Sequence, residues 1–566
     1  MNVNRHLNGK GLFLLMLLGI TLNLNAQNLE EIKSQKPVTI HGSIGIAPRF
    51  YNVTGKTPSR EPFSWVLQGN PVVTIYGISL PFSFYITDQQ RDFRQPLNRF
   101  GISPYYKWVK LYLGYQSLNF SKYSLAGHSI TGAGVELTPG NFRFAFMYGR
   151  LLKAIPERND LQNTRVQIPA FRRKGAAVKI GYGTEDNFLD IVVLKAADDI
   201  GSLDSFPTSQ KVLPAENLVA SVITHQKLFN RVFFDAEFAQ SIYTKDVTAE
   251  EIDSSGNLIL LKPFSGLIKS HNSTNFSTAF ETSLGYMYKG NGLKLHFQRV
   301  DPGYQSMGAY YFLNDLQNIT IEPRVSLFKN KLGIGGSLGL QHDNVNNTKA
   351  ATTQRTIGSA NLNARPFKNY NLTIQYSNYG IGQKSGVSPL DTMIEISQST
   401  QNIAVNQSYT LQGKKTINTF LLNYNRQNLT DDNVNTAKFS EYKTNMLIGG
   451  YSLFITPWRL NFGINYTHVA FKNNLQNNAY DGPSINLGKT LLKDKLNIGL
   501  SGAFTTNSIN DSTDSKIQTL SFNAGFKITK KHRITARFYV NKRIAVSATS
   551  KSFTEINGEI RYVYRF

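Results

Sequence analysis

The chain of 566 residues contains no cysteine, which excludes disulfide bonds, thiolate metal sites and a lipid-modified cysteine. Long apolar runs are also missing. Leu12 to Ile20 form a short one, but a spanning helix needs about 20 residues. Phosphate-binding loops and zinc-ligand spacings are absent too. We therefore expect no cofactor and no bound metal.

The first residues have the pattern of a secretory leader. Arg5 and Lys10 precede the apolar run, and Leu24-Asn25-Ala26 then places a small residue at the cleavage position. This pattern predicts cleavage between Ala26 and Gln27. We expect residues 1–26 to be a signal peptide that exports the chain.

The composition favours one large folded unit. The chain is 41% apolar and contains 28 Tyr, 36 Phe and 44 Gly, which is too apolar for a disordered protein. Its length would suit three or four soluble domains, but no linker or change of composition separates them. A single closed sheet accounts for both the length and the uniformity.

The formal charge of +24 would suggest nucleic acid in a cytosolic protein, but export argues against that partner. A basic barrel would instead favour anions in its lumen, or contact anionic lipid headgroups and lipopolysaccharide. Solvated basic loops are the alternative explanation.

Strict alternation of apolar and polar residues is the strongest structural signal. Its apolar set in the last strand is Ile556, Gly558, Ile560, Tyr562, Tyr564 and Phe566. Similar segments are Leu332–Leu340, Leu372–Ser377, Leu460–Tyr466, Leu496–Ser501, Leu520–Lys527 and Ile534–Val540. Side chains of a strand alternate between its two faces, so each segment has one apolar and one polar face. A soluble sandwich would also alternate. Long segments with Tyr and Phe near their ends favour strands that cross a membrane.

Short and long connections alternate along the chain. Tight ones occur at residues 139–141, 289–291, 329–331, 365–369, 456–458, 493–495 and 529–531. Longer polar stretches lie at residues 343–352, 382–398, 428–439, 472–478 and 507–514. This rhythm is typical of short periplasmic turns and longer outer loops.

The sequence therefore predicts an all-β fold, a single transmembrane antiparallel barrel of about 22–24 strands. The barrel would span residues 38–566, after a short periplasmic segment at 27–37. Residues 87–104 fit no strand well, and we expect a periplasmic or inward-folded segment there. The last strand should close the barrel against the strand near Val38.

Catalytic chemistry finds little support. His342-Asp343 is the nearest approach to a dyad, but a lone His-Asp pair is common by chance. Gly335 to Gly339 matches G-x-S-x-G, but it lies inside an alternating strand with no helix after it. We expect no enzymatic activity.

Basic residues between two strand-like segments are a candidate anion-attracting loop at the mouth of the barrel. They are Arg150, Lys153, Arg158, Arg165, Arg172, Arg173 and Lys174. A solvated loop or a lipopolysaccharide contact is the alternative. Charged residues of the polar strand faces are a second candidate, either for selecting permeants or as pairs that hold the wall. These are Asp235, Glu237, Arg533, Arg537, Glu559 and Arg561.

The last strand resembles the C-terminal targeting strand of bacterial outer-membrane proteins, although Gly558 departs from the usual spacing. The resemblance implies that Tyr562, Tyr564 and Phe566 are an insertion signal for the barrel-assembly machinery. The stretch from Pro104 to Gly127, with GAGVELTPGNFRF from Gly132, resembles poorly characterised outer-membrane barrels of the Bacteroidota. No TonB-box-and-plug region precedes the barrel pattern, and no peptidoglycan-binding domain follows it.

The function predicted from these features is a porin-like outer-membrane channel for small solutes, with a polar, net-basic lumen. The alternative is a structural or accessory part of an outer-membrane assembly, secretion or surface-attachment complex. Outer-membrane lipid and lipopolysaccharide are the expected surroundings.

Overall fold

A closed antiparallel sheet of 26 strands forms the wall of the molecule, which confirms the predicted fold class. The structure is a computed structural model, and it describes residues 37–89, 96–157, 169–204, 212–253, 259–309, 313–349, 351–385 and 396–566. The predicted leader, with Ala26 and Gln27, lies outside these residues. In the described part of the chain, no helix is long and apolar enough to cross a membrane.

The described residues form 31 strand segments, of which 29 belong to this sheet. The first are β1 (Val38–His41), β2 (Ser43–Thr54), β3 (Phe63–Gly69), β4 (Val72–Ile75), β5 (Ile78–Thr87), β6 (Arg99–Ile102), β7 (Tyr105–Tyr106), β8 (Val109–Ser117), β9 (Leu125–Ala126) and β10 (Ser129–Leu137). Then follow β11 (Phe142–Leu152), β12 (Arg172–Gly183), β13 (Asn187–Asp199), β14 (Glu216–Leu228), β15 (Val232–Thr244), β16 (Thr274–Tyr288), β17 (Asn291–Val300), β18 (Gly308–Ala309), β19 (Leu316–Leu327), β20 (Leu332–His342) and β21 (Ala351–Ala364).

The remaining strands are β22 (Tyr370–Ser385), β23 (Ser397–Gln412), β24 (Thr416–Asp431), β25 (Tyr442–Ile455), β26 (Leu460–Asn473), β27 (Asn477–Leu491), β28 (Leu496–Ile509), β29 (Ser512–Lys527), β30 (His532–Ala545) and β31 (Phe553–Arg565). Short helical turns occur at Ile200–Ser202, Lys262–Leu267 and Ala437–Ser440. Three wall strands are interrupted, so that β1 continues into β2, β3 into β4 and β6 into β7. Strands β9 and β18 lie apart from the wall as a two-stranded parallel sheet.

The barrel closes where β31 pairs with β2, as the alternation of the last strand predicts. The register runs from Ser43 opposite Arg565 to Thr54 opposite Thr554. We call this pairing the seam. Every other wall strand pairs with its neighbours in chain order.

The wall has more strands than the predicted 22–24, and residues 87–104 account for part of the difference. Arg99–Ile102 and Tyr105–Tyr106 form a wall strand interrupted near Pro104, which pairs with β5 and β8. Proline cannot donate a ladder hydrogen bond, so the strand is interrupted there. Each half is then too short to show a clear alternation.

The two ends of the barrel differ in the length of their connections. All seven tight connections predicted from the sequence lie at one end, which we call the turn end. At the other end, the loop end, the stretch at 507–514 proves shorter than predicted. Strands β28 and β29 continue through most of it and leave only Asn510 and Asp511 between them. These residues have φ values of 48° and 64°, as a two-residue hairpin turn requires.

Two connections of the loop end fold back against the same face of the wall. They are residues 118–128 between β8 and β10 and residues 301–309 between β17 and β19, and together we call them the plug. A third connection, after β15, packs Leu261 against Leu218 and Ile242 of the opposite face. Plug side chains contact wall residues from Tyr112 on β8 to Gln298 on β17. Segments this short reach so many strands only from the concave side, so the plug lies inside the barrel.

The position of the plug identifies the inner face of the wall. Glu237 and Ala239 face the plug, and the intervening side chains point outward. Around the rest of the wall the outward set is apolar and exposed, as Leu338, Leu340 and Leu500 illustrate, with 62% of Leu338 accessible. The inward set is rich in Asn, Ser, Thr and Gly. The two faces of the wall therefore differ in composition, and the exposed apolar side chains belong to the outward face.

Candidate functional site: the plug and the lumen face

The two halves of the plug are joined into one unit. Strands β9 and β18 pair in parallel, and the Ser306 hydroxyl donates to the Ser124 carbonyl at 2.5 Å. The Tyr304 hydroxyl donates to the Tyr123 carbonyl at 3.0 Å. A Cβ on Gly308 would lie 2.6 Å from the Ser124 oxygen, so only glycine allows this close approach.

One side of the plug is apolar and packs on small and aliphatic residues of the wall. Phe120, Leu125 and Met307 belong to a buried cluster whose wall members include Met147 and Leu194. Each fully buried side chain of this kind contributes about 1.5–3 kcal/mol. This arc of the inner face is therefore a packed core.

The other side of the plug is held by two wall carboxylates. Glu237 on β15 accepts hydrogen bonds from the Ser121 hydroxyl and, at 3.1 Å, from the Tyr123 amide. Glu281 on β16 accepts from the Tyr123 hydroxyl at 2.7 Å and pairs with Lys122. Hydrogen bonds to a charged group contribute about 1.5–3 kcal/mol each. The sequence suggested that Glu237 selects permeants or holds the wall strands together. In the structure, Glu237 anchors the plug to the wall.

Further contacts complete this polar anchor. His296 Nε2 lies 3.1 Å from a Glu281 oxygen, and the Gln298 amide donates to the Tyr123 hydroxyl at 2.8 Å. Burial raises the pKa of the Tyr123 phenol, and the negative Glu281 beside it raises this pKa further. The phenol therefore stays a hydrogen-bond donor over the physiological pH range.

A second polar contact ties the plug to β14. The Asn217 side chain accepts from the Met307 amide at 2.9 Å and donates to the Ser241 hydroxyl at 2.9 Å. The Ser241 hydroxyl donates in turn to the Gln305 carbonyl at 2.6 Å. Asn217 and Ser241 are fully or almost fully buried, so their hydrogen bonds are made without competition from water.

The basic stretch predicted as an anion-attracting loop is largely in strands where the structure describes it. Arg150 lies in β11, and Arg172, Arg173 and Lys174 begin β12. Arg173 makes two hydrogen bonds to Asp198, at 2.8 and 3.0 Å. Arg172 and Lys174 both pair with Asp199, at 2.6 and 3.5 Å.

The three basic side chains at the start of β12 therefore face two carboxylates of β13, which leaves one positive charge in excess there. Lys153 follows β11 in the connection, and Arg158 and Arg165 lie outside the described residues. The anion-attracting role of this stretch stays a prediction.

The catalytic candidates show no catalytic geometry. His342 Nδ1 lies 2.9 Å from the backbone carbonyl of Asp343, whose carboxylate accepts from the Thr353 amide at 2.6 Å. The G-x-S-x-G match lies within β20, as its alternation predicts. Among the described residues, no group of His, Asp and Glu is arranged to hold a metal ion.

The aromatic residues of the last strand gather at the turn end of the seam. The Tyr562 hydroxyl lies 2.7 Å from His532 Nδ1, and the ring of Tyr564 contacts those of His532 and Phe566. Their role as an insertion signal stays a prediction.

Several amide side chains lie together on the inner face away from the plug. A cavity of about 300 Å³ on this face touches Asn361, Gln375, Asn402 and Asn425, which lie on four consecutive strands from β21 to β24. Amide side chains of this kind interact with water and with polar solutes. This face is therefore suited to contact with a solute.

The polar lumen predicted from the sequence stays a prediction, and the plug was not predicted. The plug residues have no periodic pattern, and their contacts join positions more than a hundred residues apart, such as Ser121 and Glu237. Only the run of small and polar residues around Ser121 to Gly127 marks a segment that interrupts the strand pattern.

Comparison with known proteins identifies no family. No family model matches the chain, and no curated protein sequence matches it either. Solved structures with some likeness include the OpdK structure of Pseudomonas aeruginosa with vanillate. It is 10% identical, the match covers 62% of this chain and 93% of OpdK, and the TM-score is 0.31.

Larger proteins also share some likeness. A mutant of the ferric enterobactin receptor PfeA of Pseudomonas aeruginosa is 10% identical, with 93% of this chain and 80% of the receptor covered and a TM-score of 0.40. The FrpB iron transporter of Neisseria meningitidis is 10% identical, with 93% and 81% covered and a TM-score of 0.38. These TM-scores are too low for the likeness to carry a functional argument.

Proposed function

We propose that the chain is an outer-membrane barrel that lets small polar solutes pass between the plug and the opposite wall. The observation that carries this proposal is the division of the inner face into two arcs. One arc packs against the plug, and the other presents Asn, Gln and Ser side chains to a cavity. A barrel of more than about 16 strands encloses a channel unless its lumen is filled.

Placement in an outer membrane is supported by the outward face of the wall. Exposed apolar side chains such as Leu338 and Leu500 would be costly in water on so large a surface, but they match a lipid environment. We infer that residues 1–26 are removed on export. We also infer that the barrel-assembly machinery recognises the last strand, and that lipopolysaccharide surrounds the loop end.

Reconstitution of the purified full-length protein in planar lipid bilayers tests this function. We expect stable single-channel conductance and, in liposomes, swelling that depends on the size of neutral sugars. A protein that inserts without conductance or swelling would contradict the proposal and favour a role as an accessory component of an assembly.

The role of the plug is tested by Glu237→Gln. Glutamine loses the charged acceptor of Ser121 and Tyr123, and we expect the plug to be held less tightly by about 1–3 kcal/mol. Conductance should then fluctuate more and reach higher values. Glu322→Gln is the matched control, because Glu322 on β19 pairs with Lys294 at 3.7 Å and does not contact the plug. Equal effects of both variants would argue against a restricting plug.

A further inference from the structure

A cavity of about 760 Å³ lies on the lumen side of the seam, between β2 and β29 to β31. Its lining includes Arg49, Arg60 and Arg537, with Tyr51, Tyr539 and Asn523 beside them. Two carboxylates, Glu61 and Glu559, also reach it. The cavity therefore combines guanidinium groups with neutral hydrogen-bond donors and aromatic rings.

Two arginines compensate the negative charge of Glu559. One carboxylate oxygen accepts from Arg49 Nε at 2.9 Å, and the other lies 3.1 Å from an Arg561 nitrogen. Arg537 lies directly opposite Glu559 in the register of β30 and β31. Within the described parts of the chain, Arg537 makes no hydrogen bond or ion pair, so its guanidinium faces the cavity without an acceptor.

Neighbouring arginines add positive charge to this part of the wall. The Nε atoms of Arg533 and Arg561 are buried and find no hydrogen-bond acceptor among the described residues. On the opposite side of the cavity, Arg60 lies over the Tyr51 ring, 5.8 Å from its centroid. Its contact with Asn557, at 3.4 Å, is to a neutral amide oxygen, and the nearby Glu555 carboxylate is already paired with Lys56 at 2.7 Å.

We propose that this cavity binds the oxyanion of a small organic anion, a carboxylate or a phosphate group, on its way through the lumen. The proposal rests on the proposed function and names the class of solute that the channel favours. A planar guanidinium donates two parallel hydrogen bonds to either group. Asn523 and the Tyr539 hydroxyl supply neutral donors for the rest of the solute.

Titration calorimetry of the detergent-solubilised, folded protein tests the site without requiring conductance. Benzoate and inorganic phosphate are the anionic probes, and benzamide is the uncharged counterpart of benzoate. We expect benzoate or phosphate to bind and benzamide to bind at least about tenfold more weakly. Comparing the affinities of the two anions shows whether the site prefers a carboxylate or a phosphate.

Arg537→Gln should weaken binding of the preferred anion about tenfold, because one charge-assisted hydrogen-bonding group is lost. Arg324→Gln is the matched control: Arg324 is an arginine of β19, on another part of the wall, and lies outside this cavity. We expect it to change binding less than twofold. Equal binding of benzoate and benzamide, or equal losses in both variants, would overturn the proposal.

Bilayer recordings then separate this site from the channel function. Added benzoate should interrupt the current of the wild-type protein and do so less in Arg537→Gln. Binding without any conductance would support the site and contradict the channel. Conductance without anion binding would support the channel and contradict the site.

Discussion

His128 ends the first half of the plug and is fully buried. Its Nδ1 lies 3.1 Å from the Ser129 carbonyl, which favours the charged ring. Burial outweighs this contact, and together with the nearby Arg173 charge it lowers the pKa of His128 to about 4. The ring is therefore neutral at pH 7, and protonating it would place a second positive charge beside Arg173.

We predict that acid weakens the plug through this residue. With an unfolded pKa of about 6.5, the His128 contribution is fully present above pH 6.5 and is lost as pH falls towards 4, by about 3 kcal/mol in all. Hydrogen exchange of residues 118–128, corrected for its intrinsic pH dependence, measures this loss. His128→Gln cannot take up the proton, so an unchanged pH dependence in that variant would contradict the assignment.

At the scale of single elements, the hairpin of β28 and β29 shows how a polar sequence stays in the sheet. Asn507 to Asp514 suggests a loop by composition, but Asn507 and Asp514 are buried and bonded to each other at 3.0 Å. The Asp514 carboxylate also accepts from Arg543 of β30 at 2.9 Å. Polar residues near a barrel rim adopt strand structure when neighbouring strands supply hydrogen-bond partners. Composition alone does not reveal those partners.

We predict that the turn of this hairpin responds to the residue at position 511. Asp511→Gly should stabilise the barrel by about 0.5–1 kcal/mol, because glycine adopts a positive φ without strain. Asp511→Val should destabilise it by about 1–2 kcal/mol. Urea unfolding in lipid vesicles, followed by tryptophan fluorescence, measures both. Changes of the same sign would show that φ does not control this turn.

At the scale of the whole molecule, a charge can be placed on the inside or on the outside of the barrel by substituting one of two adjacent residues. Leu338 and Ser337 are adjacent on β20 and point to opposite faces. Leu338→Arg places a charge on the outward face and should reduce stability in lipid by about 2–4 kcal/mol. Ser337→Arg places the same charge in the lumen and should insert normally. Insertion into lipid vesicles, read by resistance to added protease, compares the two variants.

The closed sheet follows from local sequence information, whereas the plug does not. Alternation from Leu460 to Tyr466 or from Ile556 to Phe566 indicates the face on which each side chain lies, because successive side chains of a strand point to opposite faces of the wall. The bond between Ser121 and Glu237 joins residues from distant parts of the chain and leaves no trace in either local pattern. Arg537 is recognisable as a lumen charge, but only the structure shows that Glu559 is already occupied.

The seam also determines the order in which the molecule is completed. Every other pair of wall strands joins neighbours along the chain, but Arg49 and Glu559 are 510 residues apart. Hairpins between consecutive strands close only short loops. The seam brings the two ends of the whole wall together, and closing so long a loop costs more chain entropy. Until it forms, β2 and β31 both have a free edge able to pair with another chain. Misassembly into oligomers should therefore begin at these two strands.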